Sequence, residues 1–140
     1  MFIKKIALKD FFLFTEAWGL LAISRLILVF IPFSKVLPLL GKQVSPDTTP
    51  DRHNKHFVHI GTAIARACRY SFWRTQCFEQ ALCAKFMLKL RKRKSTIYFG
   101  VKKDESAKEL LAHAWLVCNN EIVTGGKQAE YFKILSVFYG

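Results

Sequence analysis

The sequence predicts an α+β fold in which helices come first and a small antiparallel sheet follows. Three observations carry this: a long apolar run from Phe11 to Phe33, helical periodicity through residues 57–70 and 75–91, and short β-branched and aromatic segments after Thr96 separated by turn residues. With 140 residues, 51% of them hydrophobic, and thirteen Phe, the chain can bury a sizeable core, so disorder is not the default reading. Twenty-two Lys and Arg against ten Asp and Glu leave a net charge of +12. That balance favours acidic partners (nucleic acid, anionic lipid or an acidic peptide) without choosing among them.

Within the apolar run, Glu16 and Arg25 fall on roughly opposite sides of a helix. Central charges argue against a plain transmembrane span. They predict a helix buried on most sides with its charges paired or snorkelling; an interfacial or partner-docking helix is the alternative. Pro32 and Pro38 break the run, and residues 41–52, with Pro46 and Pro50, read as a polar connector without regular structure. The chain thus divides into an apolar helical region, 1–45, and a core, 46–140, forming one compact unit. In the next segment apolar residues at 57, 60, 64, 67 and 68 predict an amphipathic helix with Arg66 and Arg69 outside.

His53, His56 and His59 recur every three positions, a spacing that could share a metal. No carboxylate or cysteine stands at ligand spacing beside them, so a polar helix entrance is the better reading. Cys68, Cys77, Cys83 and Cys118 form no C-x-x-C pair, which argues against structural zinc. The charged first ten residues do not read as a secretory leader, so the expectation is free thiols in a reducing cytoplasm.

Thr75-Gln-Cys-Phe-Glu-Gln-Ala-Leu opens a helix that runs to about Arg91, with Thr75 as the expected N-cap. Cys77 then falls in the first turn, where the helix dipole favours thiolate and unpaired N–H groups can hold an oxyanion. Arg91-Lys-Arg-Lys is a cationic helix end. Downstream, Thr96-Ile-Tyr-Phe-Gly-Val, His113-Ala-Trp-Leu-Val-Cys and Tyr131 to Tyr139 read as strands, and Asn119-Asn120 as a two-residue turn into Glu121-Ile-Val-Thr. A thiol at a helix start and an imidazole on a strand are the two halves of a cysteine-nucleophile site. Cys83 and Cys118 read as packing residues.

The order of Cys77 helix, strand, His113 strand and hairpin resembles the transglutaminase-like branch of the papain-type cysteine proteases. More closely, Trp73-Arg-Thr-Gln-Cys-Phe-Glu-Gln-Ala-Leu, Tyr98-Phe-Gly-Val-Lys-Lys-Asp, Ala112-His-Ala-Trp-Leu and Ile122-Val-Thr-Gly-Gly resemble the leader peptidases of lasso-peptide biosynthesis. The apolar N-terminal region resembles the same family. The resemblance implies a bacterial cysteine peptidase whose nucleophile, Cys77, sits at a helix N-terminus on a small antiparallel sheet with His113 as general base. It needs no cofactor or metal. Its implied partners are a precursor peptide, a separate leader-recognition protein and an asparagine-synthetase-like cyclase; nucleic acid is not implied, and peripheral membrane contact is a further expectation.

The superfamily usually places an Asp on the strand after the histidine. Here a two-residue turn would set Gly126 opposite His113 and Thr124 diagonally, so Asp104, Thr124 and Glu121, or a backbone carbonyl or water, are the candidates to orient the imidazole. Two rival readings are an acyl- or amide-transfer enzyme on the same scaffold and a non-catalytic membrane- or partner-binding protein.

Overall fold

The computed structural model describes residues 2–44, 58–73, 75–104, 109–118, 121–126 and 131–140. The architecture is α+β, as the sequence predicts. Helices α1 (Phe2–Phe30), α2 (Phe33–Leu40), α3 (Val58–Arg69) and α4 (Cys77–Leu90) pack on a five-stranded antiparallel sheet of β1 (Lys42–Val44), β2 (Thr96–Asp104), β3 (Glu109–Cys118), β4 (Glu121–Thr124) and β5 (Lys133–Tyr139). The strand order is β1-β5-β2-β3-β4.

The apolar run becomes one long helix whose Leu13, Ala17, Leu21 and Ser24, spaced four, four and three apart, are buried against α3 and α4. Its two interior charges are paired. Glu16 takes a bidentate contact from Arg91 at 2.6 and 3.0 Å, and Arg25 reaches Glu79 at 3.3 Å. Glu16 and Arg25 lie on opposite sides of α1 because each flanks the buried face by roughly a quarter turn. Both can therefore meet α4, one at each end, and this makes the two helices antiparallel.

Two local expectations are corrected. Pro38 does not end a helix: it lies inside α2, after Pro32 has opened that helix at its N-cap position. Nor does all of 41–52 lack regular structure, since residues 42–44 form β1 against β5, Lys42 opposite Tyr139 and Val44 opposite Val137. That pairing joins residues almost a hundred positions apart, so no local propensity could reveal it. Residues 45–52 lie outside the described residues.

Helix α4 is the centre of the molecule. Ala81, Leu82, Cys83, Ala84, Met87 and Leu88 are all inaccessible to solvent, because α1 and α3 cover one side and the sheet the other. The sheet meets it with Ile97, Phe99, Ala114, Leu116, Cys118 and Phe138, the alternate residues of β2, β3 and β5. Tyr98, Gly100, His113 and Trp115 therefore belong to the opposite face.

Candidate active site

Cys77 is the first residue of α4. The N-cap is Gln76, in extended conformation and without a side-chain cap, so the expected cap at Thr75 is displaced by one residue. The Gln80 N–H donates to the Gln76 carbonyl at 3.0 Å and closes the first turn. The N–H groups of Cys77 and Phe78 precede that bond and have no partner within the helix, which leaves them placed as donors for a developing oxyanion. Thr75 has a different role: its carbonyl accepts from Gln80 Nε2 at 2.8 Å, a bond that ties the entry segment to the helix. Trp73 stacks edge-on to Trp18 of α1 at 5.1 Å and anchors the same segment.

Cys77 is half-buried at the margin of the core, whereas Cys83 and Cys118 are buried. Cys83 Sγ donates to the Ala17 carbonyl at 3.4 Å and Cys118 Sγ to that of Lys94 at 3.5 Å. Burial pushes both thiols up, away from thiolate. Cys68 is pushed up by burial too. Of the four cysteines, Cys77 alone stands at a helix N-terminus.

His113 is held on three sides. Its ring stacks on Trp115 at 5.8 Å and leans on Phe132 at 5.0 Å, and Nε2 lies 2.7 Å from the Gly125 carbonyl oxygen. A carbonyl can only accept, so Nε2 is the donor, and in the neutral imidazole Nδ1 then holds the lone pair. In that tautomer Nδ1 is the ring atom able to accept a proton.

The group that orients His113 follows from the sheet register. A bulge between Leu116 and Val117 slips β4 by one place, so Thr124 faces Leu116 and the expected alignment of Gly126 with His113 does not form. Asp104 pairs with Glu109, four residues from His113 along β3, and Glu121 pairs with Cys118, five residues away. At ~3.3 Å per residue these are ~13 and ~16 Å distant, beyond side-chain reach. Thr124 comes closer, lining the same cavity as His113, but its buried hydroxyl has no partner. The Gly125 carbonyl takes the part that an Asp would otherwise play. Gly125 can do so because it adopts φ +75°, and a Cβ there would stand 2.6 Å from the Ala114 oxygen.

That cavity, about 320 Å³, lies beside edge strand β4 and is lined by Gly61 and Ala65 of α3, Gln80 of α4, His113, and residues 123–126. Gly61 lets α3 approach closely: a Cβ there would be 2.4 Å from the Val123 oxygen. Gln80, three residues along α4 from Cys77, is the α4 residue that lines this cavity with His113. Among the described residues no hydrogen bond joins Cys77 to His113, and Cys77 does not line the cavity itself. The volume suits a few side chains of an extended peptide. Sequence reasoning missed Gln80 and Gly125; the one signal for the latter was the Gly-Gly pair after a strand.

His59 is exposed on α3, and burial and Lys9 lower its pKa. His53 and His56 lie outside the described residues. Among the described residues no cluster of three metal-ligating side chains occurs.

A family model described as the transglutaminase-like superfamily matches residues 23–137, most of the chain. No curated protein and no solved structure matches it.

Proposed function

The chain belongs to the transglutaminase-like superfamily, whose chemistry is that of cysteine proteases and acyl transferases, and on that premise we propose that it is the leader peptidase of a lasso-peptide pathway. The observation that carries the enzymatic reading is the 2.7 Å contact of His113 Nε2 with the Gly125 carbonyl, which in the neutral imidazole leaves Nδ1 as the base; Cys77 heads α4, the helix whose Gln80 lines the same cavity as His113. The finer reading rests on the resemblance of the motifs around Cys77, Tyr98, His113 and Ile122.

In this mechanism His113 Nδ1 takes the Cys77 thiol proton as the sulfur attacks the scissile carbonyl of the precursor. The first-turn N–H groups of α4 hold the oxyanion, and the imidazolium returns its proton to the departing amine as the C–N bond breaks. Water, deprotonated by His113, then attacks the thioester; the C–S bond breaks and the thiol is reprotonated. The leader leaves with a free carboxylate, and the core peptide with a free amine for a separate cyclase. The mechanism requires substrate binding to bring Cys77 and His113 within hydrogen-bond reach, because His113 belongs to the sheet face turned away from α4. A separate leader-recognition protein presents the precursor, and the reaction belongs to the reducing cytoplasm.

The test is a reconstitution with precursor and leader-binding protein, followed by mass spectrometry. Intact leader is expected as product, and Cys77→Ala and His113→Ala, each with an unchanged melting profile, are expected to abolish its release. Undiminished cleavage by Cys77→Ala would sink the assignment. Capture of an added amine in preference to water would move the chain to the acyl-transfer side of its superfamily.

A further inference from the structure

Helix α1 has two apolar faces, and only one is covered within the described molecule. Leu8, Phe11, Phe12, Ile23, Leu26 and Phe30 are 48 to 77% exposed. At ~100° per residue they form a single stripe along the helix, opposite the face buried on α3 and α4, and between positions 8 and 30 no charged residue falls within it. The one hydroxyl in the stripe, Thr15, donates to the carbonyl of Phe11 at 2.8 Å. The stripe therefore offers a partner no unsatisfied side-chain donor, and the Thr15 oxygen is its one side-chain acceptor.

That property discriminates between occupants. A protein interface carries about one hydrogen bond per 100–200 Å², which this face cannot supply from its side chains, whereas the acyl boundary of a lipid layer asks for none. Cations bracket the stripe. Exposed Lys9 stands at one margin, and exposed Arg66 at the other, where it borders a cavity of about 510 Å³ with Asp10, Phe11, Phe14 and Tyr70. The net charge of +12 has the sign that anionic headgroups attract.

Residues Leu8–Phe30 are long and apolar enough to cross a membrane, and 22% of their apolar 18-residue window is buried. Spanning conflicts with the tertiary contacts, because Glu16 and Arg25 are bonded to α4 and the inner face is packed along α3 and α4. We propose that α1 instead lies in the plane of an anionic membrane surface, its stripe in the acyl boundary and Lys9 and Arg66 among the headgroups, with the sheet and cavity held outside.

The test is flotation of the full chain with vesicles of phosphatidylcholine, with or without added phosphatidylglycerol. The expected result is binding on the order of 10-fold tighter to the anionic vesicles at low salt, an advantage that added salt removes. Phe12→Glu/Leu26→Glu/Phe30→Glu, all exposed positions, should stay in the aqueous fraction with an unchanged melting profile. Arg66→Glu, which leaves the stripe intact, should lose only the preference for anionic vesicles. Failure of the wild-type chain to float with either vesicle overturns the proposal. So does a wild-type dimer that the triple variant renders monomeric, since that result gives the stripe to a second copy.

Discussion

His113 depends on a main-chain atom. Because the Gly125 carbonyl fixes its tautomer, the residue at 125 matters through its backbone, and Gly125→Ala must strain a positive φ and meet the Ala114 oxygen. Leader-release kinetics should show kcat lowered by about 10²-fold in this variant, the effect of misplacing a catalytic group by about 1 Å. Thr124→Val, by contrast, keeps the carbonyl in place and removes a hydroxyl that makes no hydrogen bond among the described residues, so it should leave kcat within about 10-fold of the wild type. A larger loss in Thr124→Val than in Gly125→Ala would reverse the two roles. The placement of Cys77 at a helix start and of His113 on a strand was legible in the sequence because both are local patterns. The orienting group was not, since it depends on a bulge that slips β4 by one residue, and a main-chain carbonyl leaves no mark on side-chain identity.

The two ion pairs joining α1 to α4 differ in what surrounds them. Glu16 and Arg91 remain about 30% accessible, with side-chain values of 28% and 30%, whereas Glu79 is only 4% exposed in the first turn of α4. Glu16→Gln should lower stability by about 1 kcal/mol, near the upper end for accessible pairs because its contact is bidentate. Arg25→Met removes one charged hydrogen bond from a buried carboxylate and should cost about 2 kcal/mol. Thermal melts of the two variants side by side check the order; equal losses would mean that Arg25 contributes no more than an accessible partner. Pairing of Glu16 and Arg25 was foreseeable, because charges inside an apolar helix must be compensated. Their partners were not, since Glu79 and Arg91 are brought there only by the antiparallel passage of α1 along α4.

Across the whole molecule, Lys85 of α4 ties the sheet's ends to the helical layer. It is fully buried, and Nζ donates to the carbonyls of Ser95 and Gly140, each at 2.7 Å. Those carbonyls also accept from each other's N–H groups at 3.2 Å, so neither is orphaned if the lysine is replaced. Burial pulls the ammonium from 10.5 down to about 8. Between these two values the unfolded chain binds more protons than the folded one, so the contribution of Lys85 to stability rises with pH across the interval, by about 3 kcal/mol. Denaturant titrations should show this rise in the wild type relative to Lys85→Met, and Lys85→Met should be at least as stable as the wild type near neutral pH. A wild type that gains nothing over Lys85→Met as pH rises would show that the two carbonyls fully sustain the charge.

Taken alone, the sequence determined the succession of helices and strands, the apolar character of α1 and the two residues suited to cysteine chemistry. Each is written in spacing and residue type over a few consecutive positions. Tertiary structure decided that β1 joins β5, that Gly125 orients His113, and that α1 buries one apolar face while leaving the other bare. Those outcomes depend on strand register and helix-on-helix contact between distant segments, where a slip of one residue exchanges every partner.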